Sequence, residues 1–104
     1  MQSQDEIMLD YSNAINQVEE LEDVARELFQ QIEDITNCRN DVVVNWQGSN
    51  ADAMAQRMLE EVEQFIEIYK KLTSASSAIR EEIERIKNAD LEALRIIQQQ
   101  LSLG

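Results

Sequence analysis

Apolar residues recur along two long stretches of the chain at the three- and four-residue spacing of an amphipathic helix. In the first stretch, one apolar row repeats every seven residues, and a second row is offset from it by four. The first row is Ile7, Ala14, Leu21, Leu28, Ile35 and Val42, and the second is Tyr11, Val18, Ala25 and Ile32. A flanking row of Met8, Ile15, Phe29 and Val43 widens the stripe. This pattern predicts a helix over about residues 5–43.

The second stretch shows the same pattern and predicts a second helix over about residues 50–101. Its first row is Ala51, Met58, Phe65, Leu72, Ile79, Ile86 and Ala93, and its second row is Ala55, Val62, Tyr69, Ser76, Ile83, Asp90 and Ile97. A patch of small residues lies at 74–78. It would either let another helix approach closely or form neutral surface on a long helix. The tail beyond Ile97 is expected to fray.

Residues 45–50, between the two predicted helices, contain the only Trp of the chain and its only internal Gly. Gly48 can take a positive φ at no steric cost. Ser49 or Asn50 can cap the next helix by accepting hydrogen bonds from its first N–H groups. These features predict a turn, so the 104 residues should form a single all-α domain, an antiparallel two-helix hairpin.

The apolar stripe on each predicted helix is three rows wide, which is more than one neighbouring helix can cover. A hairpin on its own would therefore expose apolar surface. Pairing two hairpins into a four-helix bundle would bury that surface. We therefore expect a dimer, either of two copies of this chain or of this chain with a related one.

The chain is strongly acidic, with 21 Asp and Glu against 9 Lys and Arg and a formal net charge of -12. Such a surface disfavours binding to nucleic acid or anionic lipid. Residues 1–69 carry a net charge of -13 and residues 70–104 one of +1. In an antiparallel hairpin, the basic residues near the end of the second helix should offset the acidic residues at the start of the first.

Two kinds of transport sequence are missing. No apolar stretch is long enough to cross a membrane, so we expect no membrane insertion. The N-terminus has neither the positive start nor the apolar core of a cleavable signal peptide, so any export would use a signal-peptide-independent route.

The residue types needed for catalysis are sparse. The chain has no His, so it lacks an imidazole base and the usual zinc ligands. Cys38 is the single cysteine and is expected to be an apolar filler near a helix end, with a cysteine-linked dimer as the alternative. No phosphate-binding loop is present, and the carboxylate clusters fall on polar helix sides. We expect no enzyme activity, no catalytic residue, no cofactor and no metal site.

Two charged residues interrupt the apolar rows. Asp90 lies between Ile83 and Ile97 in the second helix, and a buried unpaired carboxylate is costly. Asp90 is therefore expected either to lie beyond the packed core or to meet a specific partner. Arg39 interrupts the first helix near the turn, too far from Asp90 for the two to pair within one chain.

The triplet Trp46-Gln47-Gly48 between two amphipathic helices, in a chain of about 100 residues without a signal peptide, resembles the WXG100 family. Its members are small substrates of type VII secretion in mycobacteria and Gram-positive bacteria. The resemblance covers the whole chain. The small residues that open the second helix, at 49–53, add to it.

The family also carries a C-terminal export signal. In Gram-positive members this is often a hydrophobic residue, three residues, an acid, two residues, a hydrophobic residue, three residues and a further hydrophobic residue. Ile86, Asp90, Ala93 and Ile97 match that pattern in full. The mycobacterial form has an aromatic residue where this chain has Ile86, so the resemblance is to a Firmicutes-type system.

The resemblance implies a small protein that is secreted as a folded dimer, with itself or another WXG100-like protein, and that also has a cytoplasmic pool. The membrane ATPase of the secretion system would read its C-terminal segment. Trp46 and Gly48 would dock the turn against the partner's helix end. The alternative for Trp46 is an apolar cap on the core of the hairpin.

Two other functions remain open at this point. The chain could be an accessory targeting factor, a WXG100-like hairpin that stays in the cytoplasm and binds the helical leader of a larger type VII toxin. It could also be a coiled-coil structural module unrelated to secretion, in which case the patterns around Trp46 and Asp90 are coincidental.

Overall fold

The computed structural model describes residues 2–103 and places two α-helices in them. Helix α1 runs from Gln4 to Asn45 and helix α2 from Ser49 to Leu103. No strand occurs in this described range, and the two helices pack against each other. The predicted all-helical fold with the character of a hairpin is thereby confirmed.

Helix α1 begins with a side-chain cap on Ser3. The Ser3 hydroxyl accepts a hydrogen bond from the Glu6 N–H at 3.2 Å, and the Ser3 carbonyl accepts one from the Ile7 N–H at 3.1 Å. Both are the bonds expected of an N-cap residue. Asp5 and Glu6 add negative charge in the first turn, where the helix dipole favours it. This cap explains why α1 begins one residue before the predicted position.

Only Trp46, Gln47 and Gly48 separate the helices, fewer than the predicted turn at 45–50. Gly48 has a φ of +109°, which side chains with a Cβ rarely adopt. No heavy atom lies within 4 Å of where a Cβ would stand on Gly48, so its backbone conformation and not space requires glycine. The Gly48 carbonyl accepts from the Asp52 N–H at 3.1 Å. Gly48 therefore holds the cap position expected of Ser49 or Asn50.

The C-terminal end of α2 is more regular than expected. The helix continues to Leu103, and the Ser102 hydroxyl donates to the Gln98 carbonyl at 3.0 Å. The prediction that the tail frays beyond Ile97 is wrong for the described residues.

The chain divides into two compact units, each of which contains a piece of both helices. The turn unit is Glu22–Ser74, and the terminal unit combines Met1–Leu21 with Ala75–Gly104. The prediction of one domain over residues 1–104 stays a prediction.

The turn unit has an apolar core of small and β-branched residues. Its buried members are Ala25, Ile32, Val42, Ala51, Ala55 and Val62. Met58 packs against the cluster of Val42, Ala51 and Ala55. Further along, the rings of Phe29 and Tyr69 lie 5.6 Å apart between their centroids. The rows read from the sequence therefore form the contact between α1 and α2 in this unit.

Arg39, which interrupts an apolar row, has a specific partner in the turn unit. Its Nε donates to the Ala55 carbonyl at 3.1 Å, from a half-buried position. The bond joins α1 to α2 and satisfies a polar group inside the contact.

In the terminal unit, the buried face of α2 departs from the sevenfold rows. Ser76 and Leu94 are buried, while Ile83, Lys87 and Leu91 between them are half-buried. Ser76 and Leu94 are 18 positions apart, which is five turns of a straight helix of 3.6 residues per turn. A strict sevenfold repeat drifts about 20° per heptad against such a helix. The predicted rows thus rotate away from α1 after Ser76.

This rotation settles the position of Asp90. The row through Ile83, Asp90 and Ile97 is half-buried at Ile83 and exposed at the other two residues. Asp90 therefore lies outside the contact between the two helices. Because Leu94, further along α2, is buried, α2 does not outrun the packed core at Asp90, and a specific partner for Asp90 stays a prediction.

Ser76 is 4% exposed, and its hydroxyl has no hydrogen-bond partner in the described part of the chain. We expect Ser76→Ala to stabilise the fold. The change improves helix propensity by roughly 0.5 kcal/mol and removes an unsatisfied buried hydroxyl, which adds about 1 kcal/mol. Urea unfolding followed by circular dichroism at 222 nm measures the effect.

The matched control is Ser77→Ala, at an exposed position one residue later. It should give only the propensity gain. If Ser76→Ala were no more stabilising than Ser77→Ala, the buried hydroxyl would not carry the cost assigned to it.

Candidate partner-binding surface

The side chain of Trp46 is 58% exposed, so it is not a buried cap on the hairpin. Its backbone N–H donates to the Val42 carbonyl at 3.0 Å, which fixes its backbone against the end of α1. Val43, Val44 and Met54 in the same unit are also exposed, at 56%, 77% and 44%. Trp46 is thus one of several exposed apolar residues close to the turn in the sequence.

The four residues of the export pattern lie on one side of α2 in the terminal unit. Asp90 and Ala93 are exposed, and Ile86 and Ile97 are 47% and 39% exposed. Their spacing of four, three and four residues continues a row that begins at Ile79. We name this row the outer stripe of α2. Its residues are Ile79, Ile83, Ile86, Asp90, Ala93 and Ile97.

An open groove of about 220 Å³ runs between the outer stripe and α1 in the terminal unit. We call it the stripe groove. Its lining residues are Ile7, Asp10, Tyr11, Ala14, Ile83, Ile86, Lys87 and Asp90. A second hollow of about 150 Å³ lies further along α2 and is bordered by Ile7, Asp90 and Ile97 among others. Asp90 borders both depressions.

The two carboxylates of the stripe groove have different surroundings. Asp10 accepts a hydrogen bond from the side-chain amide of Gln2. Asp90 makes no hydrogen bond or ion pair with any residue that the structure describes. Neither carboxylate is paired with a cation within residues 2–103, although both border an apolar depression.

A polar cluster of Tyr11, Glu84 and Lys87 joins the two helices beside this groove. The Tyr11 hydroxyl donates to Oε1 of Glu84. The Lys87 ammonium lies 2.9 Å from Oε2 of Glu84 and 4.3 Å from the centroid of the Tyr11 ring. Lys87 therefore combines an ion pair with a cation–π contact. Its side chain is only 18% exposed, so this cation is largely withdrawn from solvent.

These contacts shift the ionisation of all three groups. Hydrogen bonds from Lys87 and then Tyr11 lower the pKa of Glu84. The bond to Glu84 raises the pKa of Lys87, and it also raises the pKa of Tyr11. The charged forms of Glu84 and Lys87 are thereby stabilised in the folded state.

Arg85 and Arg95 pair with carboxylates within α2. Arg95 Nη2 lies 2.6 Å from a Glu92 oxygen, and Arg85 pairs with Glu82 in the same i, i+3 arrangement. These bonds lower the pKa of Glu92 and of Glu82. Arg85, Lys87 and Arg95 each pair with a carboxylate one turn away on their own helix, and the expected offset of the acidic start of α1 by the basic end of α2 stays a prediction.

The sequence pattern alone does not indicate the cluster of Tyr11, Glu84 and Lys87. The Glu84-x-x-Lys87 spacing indicates a pair within α2, but the contact with Tyr11 depends on how α1 and α2 align. That alignment cannot be predicted from the sequence of either helix taken by itself.

Residues 2–103 were also compared with what a metal site, a buried cysteine and a membrane span would require. No three His, Cys, Asp or Glu side chains in that range lie together as a metal site would need. Cys38 is exposed, so its interpretation as an apolar filler is wrong. No described helix has an apolar stretch long enough to cross a membrane.

Comparison with known proteins leaves the family open. The chain matches no protein-family model, no curated protein and no solved structure. The resemblance to the WXG100 family therefore depends on the residues quoted above.

We expect Glu84→Gln to destabilise the fold in a pH-dependent manner. Because the folded-state pKa of Glu84 is lowered, its stabilising contribution is present above the unfolded-state pKa and is lost as the pH falls through the folded value. The melting temperatures of the two proteins should therefore differ at pH 6 and converge towards pH 3. Thermal unfolding across this range measures the difference.

The control is Glu81→Gln, an exposed acid on the same helix. Its melting temperature should follow that of the unmodified chain across the range. Equal behaviour of the Glu84 and Glu81 variants would mean that the cluster does not hold α1 to α2.

Proposed function

We propose that this chain is a small non-enzymatic protein exported by a type VII secretion system as a folded dimer. The observation that carries the proposal is the exposure of Ile86, Asp90, Ala93 and Ile97 along one side of a continuous helix. An export signal must be accessible in a protein that is secreted folded. If core packing were the reason for this residue pattern, its residues would be buried instead.

The proposed dimer is supported by the apolar side chains that the chain leaves exposed. Met8, Phe29 and Val43 from the flanking row of α1 are between 40% and 56% exposed. Ile68 and Ile96 on α2, outside the export pattern, are 48% and 46% exposed. Burying such surfaces against another hairpin is the usual solution in a four-helix bundle.

The proposed role of Trp46 in docking is supported by its position. Trp46 is more than half exposed, and Val43, Val44 and Met54 of the same unit are exposed as well. Large aromatic side chains of this kind commonly anchor protein interfaces. Gly48 would contribute by setting the backbone that presents Trp46, since its φ is +109°.

A second candidate function is an accessory factor that escorts the helical leader of a larger type VII toxin. The stripe groove favours it, because a long apolar row bordered by carboxylates suits a helix from another chain. In that case the protein would stay in the cytoplasm while its partner is exported.

The export proposal is tested in the native host, with and without the type VII membrane ATPase. We expect the protein in the culture medium only when the ATPase is present. Asp90→Ala should lower the exported fraction at least severalfold while leaving the melting temperature within a few degrees, because Asp90 is exposed and has no partner in the described chain.

The control for Asp90→Ala is Asp41→Ala, an exposed acid in the turn unit that should be exported normally. Retention of the unmodified protein in the cytoplasm of every strain would contradict export and favour the escort function.

We expect Trp46→Ala to weaken assembly with a partner more than it lowers stability. The side chain is 58% exposed, so truncation removes little packing within the chain. Circular dichroism gives the helix content, and sedimentation velocity gives the assembly state. Val24→Ala, at a 50% exposed apolar position of the turn unit away from Trp46 in the sequence, is the matched control. Loss of most helix in the Trp46 variant would make Trp46 a determinant of folding instead.

A further inference from the structure

We propose that the stripe groove binds an amphipathic helix of a different protein, one that carries an Arg or Lys within its apolar face. The cationic head would lie between Asp10 and Asp90, with the aliphatic part of its side chain against Ile83 and Ile86. This inference deepens the proposed function, and rests on it only in that the chain works by binding a partner.

The shape of the surface favours a helix as the occupant. The outer stripe extends from Ile79 to Ile97, which is about 27 Å at 1.5 Å per residue. Over this length, four isoleucines and Ala93 recur at helical spacing and form an apolar row along α2 that only Asp90 interrupts. A helix lying along α2 would cover that row with side chains at the same three- and four-residue spacing.

The charged residues that border the stripe groove favour a partner that carries a basic residue. Asp10 and Asp90 border it, and neither is paired with a cation among the described residues. Lys87, the only basic residue in its lining, is held by Glu84 and lies against the Tyr11 ring. Lys87 is therefore committed within the chain. An Arg or Lys from a partner could place its aliphatic stem on the apolar wall and its charged end at the carboxylates.

The same surface argues against a second copy of this chain as the occupant. Asp90 is the only charged residue of the outer stripe. In a two-fold symmetric contact each stripe would meet the other, so Asp90 would be offered apolar residues or a second Asp90. Burying such a carboxylate without a cation is costly. The overall charge of -12 per chain adds repulsion between copies.

The test uses a fluorescein-labelled synthetic peptide of about three heptads with Leu at its a and d positions and one central Arg among them. A comparison peptide carries citrulline in place of Arg, which keeps the shape and removes the charge. Fluorescence anisotropy measures the Kd of each peptide for the purified full chain. We expect the Arg peptide to bind about tenfold more tightly, because charge-assisted hydrogen bonds to two carboxylates are lost with citrulline.

The double variant Asp10→Asn/Asp90→Asn should remove this preference. The matched control, Asp34→Asn/Asp41→Asn, changes the net charge by the same amount at exposed positions of the turn unit and should keep the preference. Circular dichroism verifies that both variants are folded. Chemical-shift changes on adding the Arg peptide should centre on Ile83, Ile86 and Asp90.

The inference is overturned if the two peptides bind equally, if neither binds, or if the control variant loses the preference as well. It is also overturned if sedimentation shows a dimer of the unmodified chain that Asp10→Asn/Asp90→Asn strengthens, since a second copy would then cover the groove. These measurements use purified protein, so their failure leaves export untouched. Likewise, a chain retained in the cell can still bind the Arg peptide.

Discussion

The packing of two amphipathic helices against each other, with a connection of three residues, is the constraint on which the rest of this structure depends. Each helix has one neighbour in the chain, so each can bury only the side that faces it. The stripes on both helices are wider than this contact. Residues on the outer flanks therefore stay exposed although they are apolar. Those flanks are where the proposed functions are located.

The helical period of 3.6 residues decides which residues of α2 become outer surface in the terminal unit. A period of 3.6 residues carries the contact with α1 through Ser76, Ile83, Lys87, Leu91 and Leu94. Asp90 is consequently left on the exposed side of α2, where its polar side chain keeps its hydration. The same rotation brings the Lys87 ammonium, which pairs with Glu84 on its own helix, beside the Tyr11 ring. One geometric property thus accounts for both the exposed stripe and the polar cluster.

Much of the fold could be predicted from the sequence, because local signals specify it. The period of the apolar residues predicted both helices. Gly48 indicated the break between them, because glycine can adopt a positive φ. The ends were less predictable, since the Ser3 cap and the extension of α2 to Leu103 involve short-range bonds that compete closely with fraying. The Tyr11 cluster and the groove depend on the alignment of one helix against the other. That alignment follows from side-chain packing across the contact, which a single-helix pattern does not contain.

The central claim is that the outer stripe of α2 is covered by another protein in the cell. Photo-cross-linking tests this most directly, with benzoylphenylalanine incorporated in place of Ile86 in the native host and, as a control, in place of the exposed Glu63 of the turn unit. The account predicts one discrete heavier adduct from position 86, containing a second and different polypeptide, and none from position 63. Irradiation that leaves the position 86 protein monomeric would contradict it.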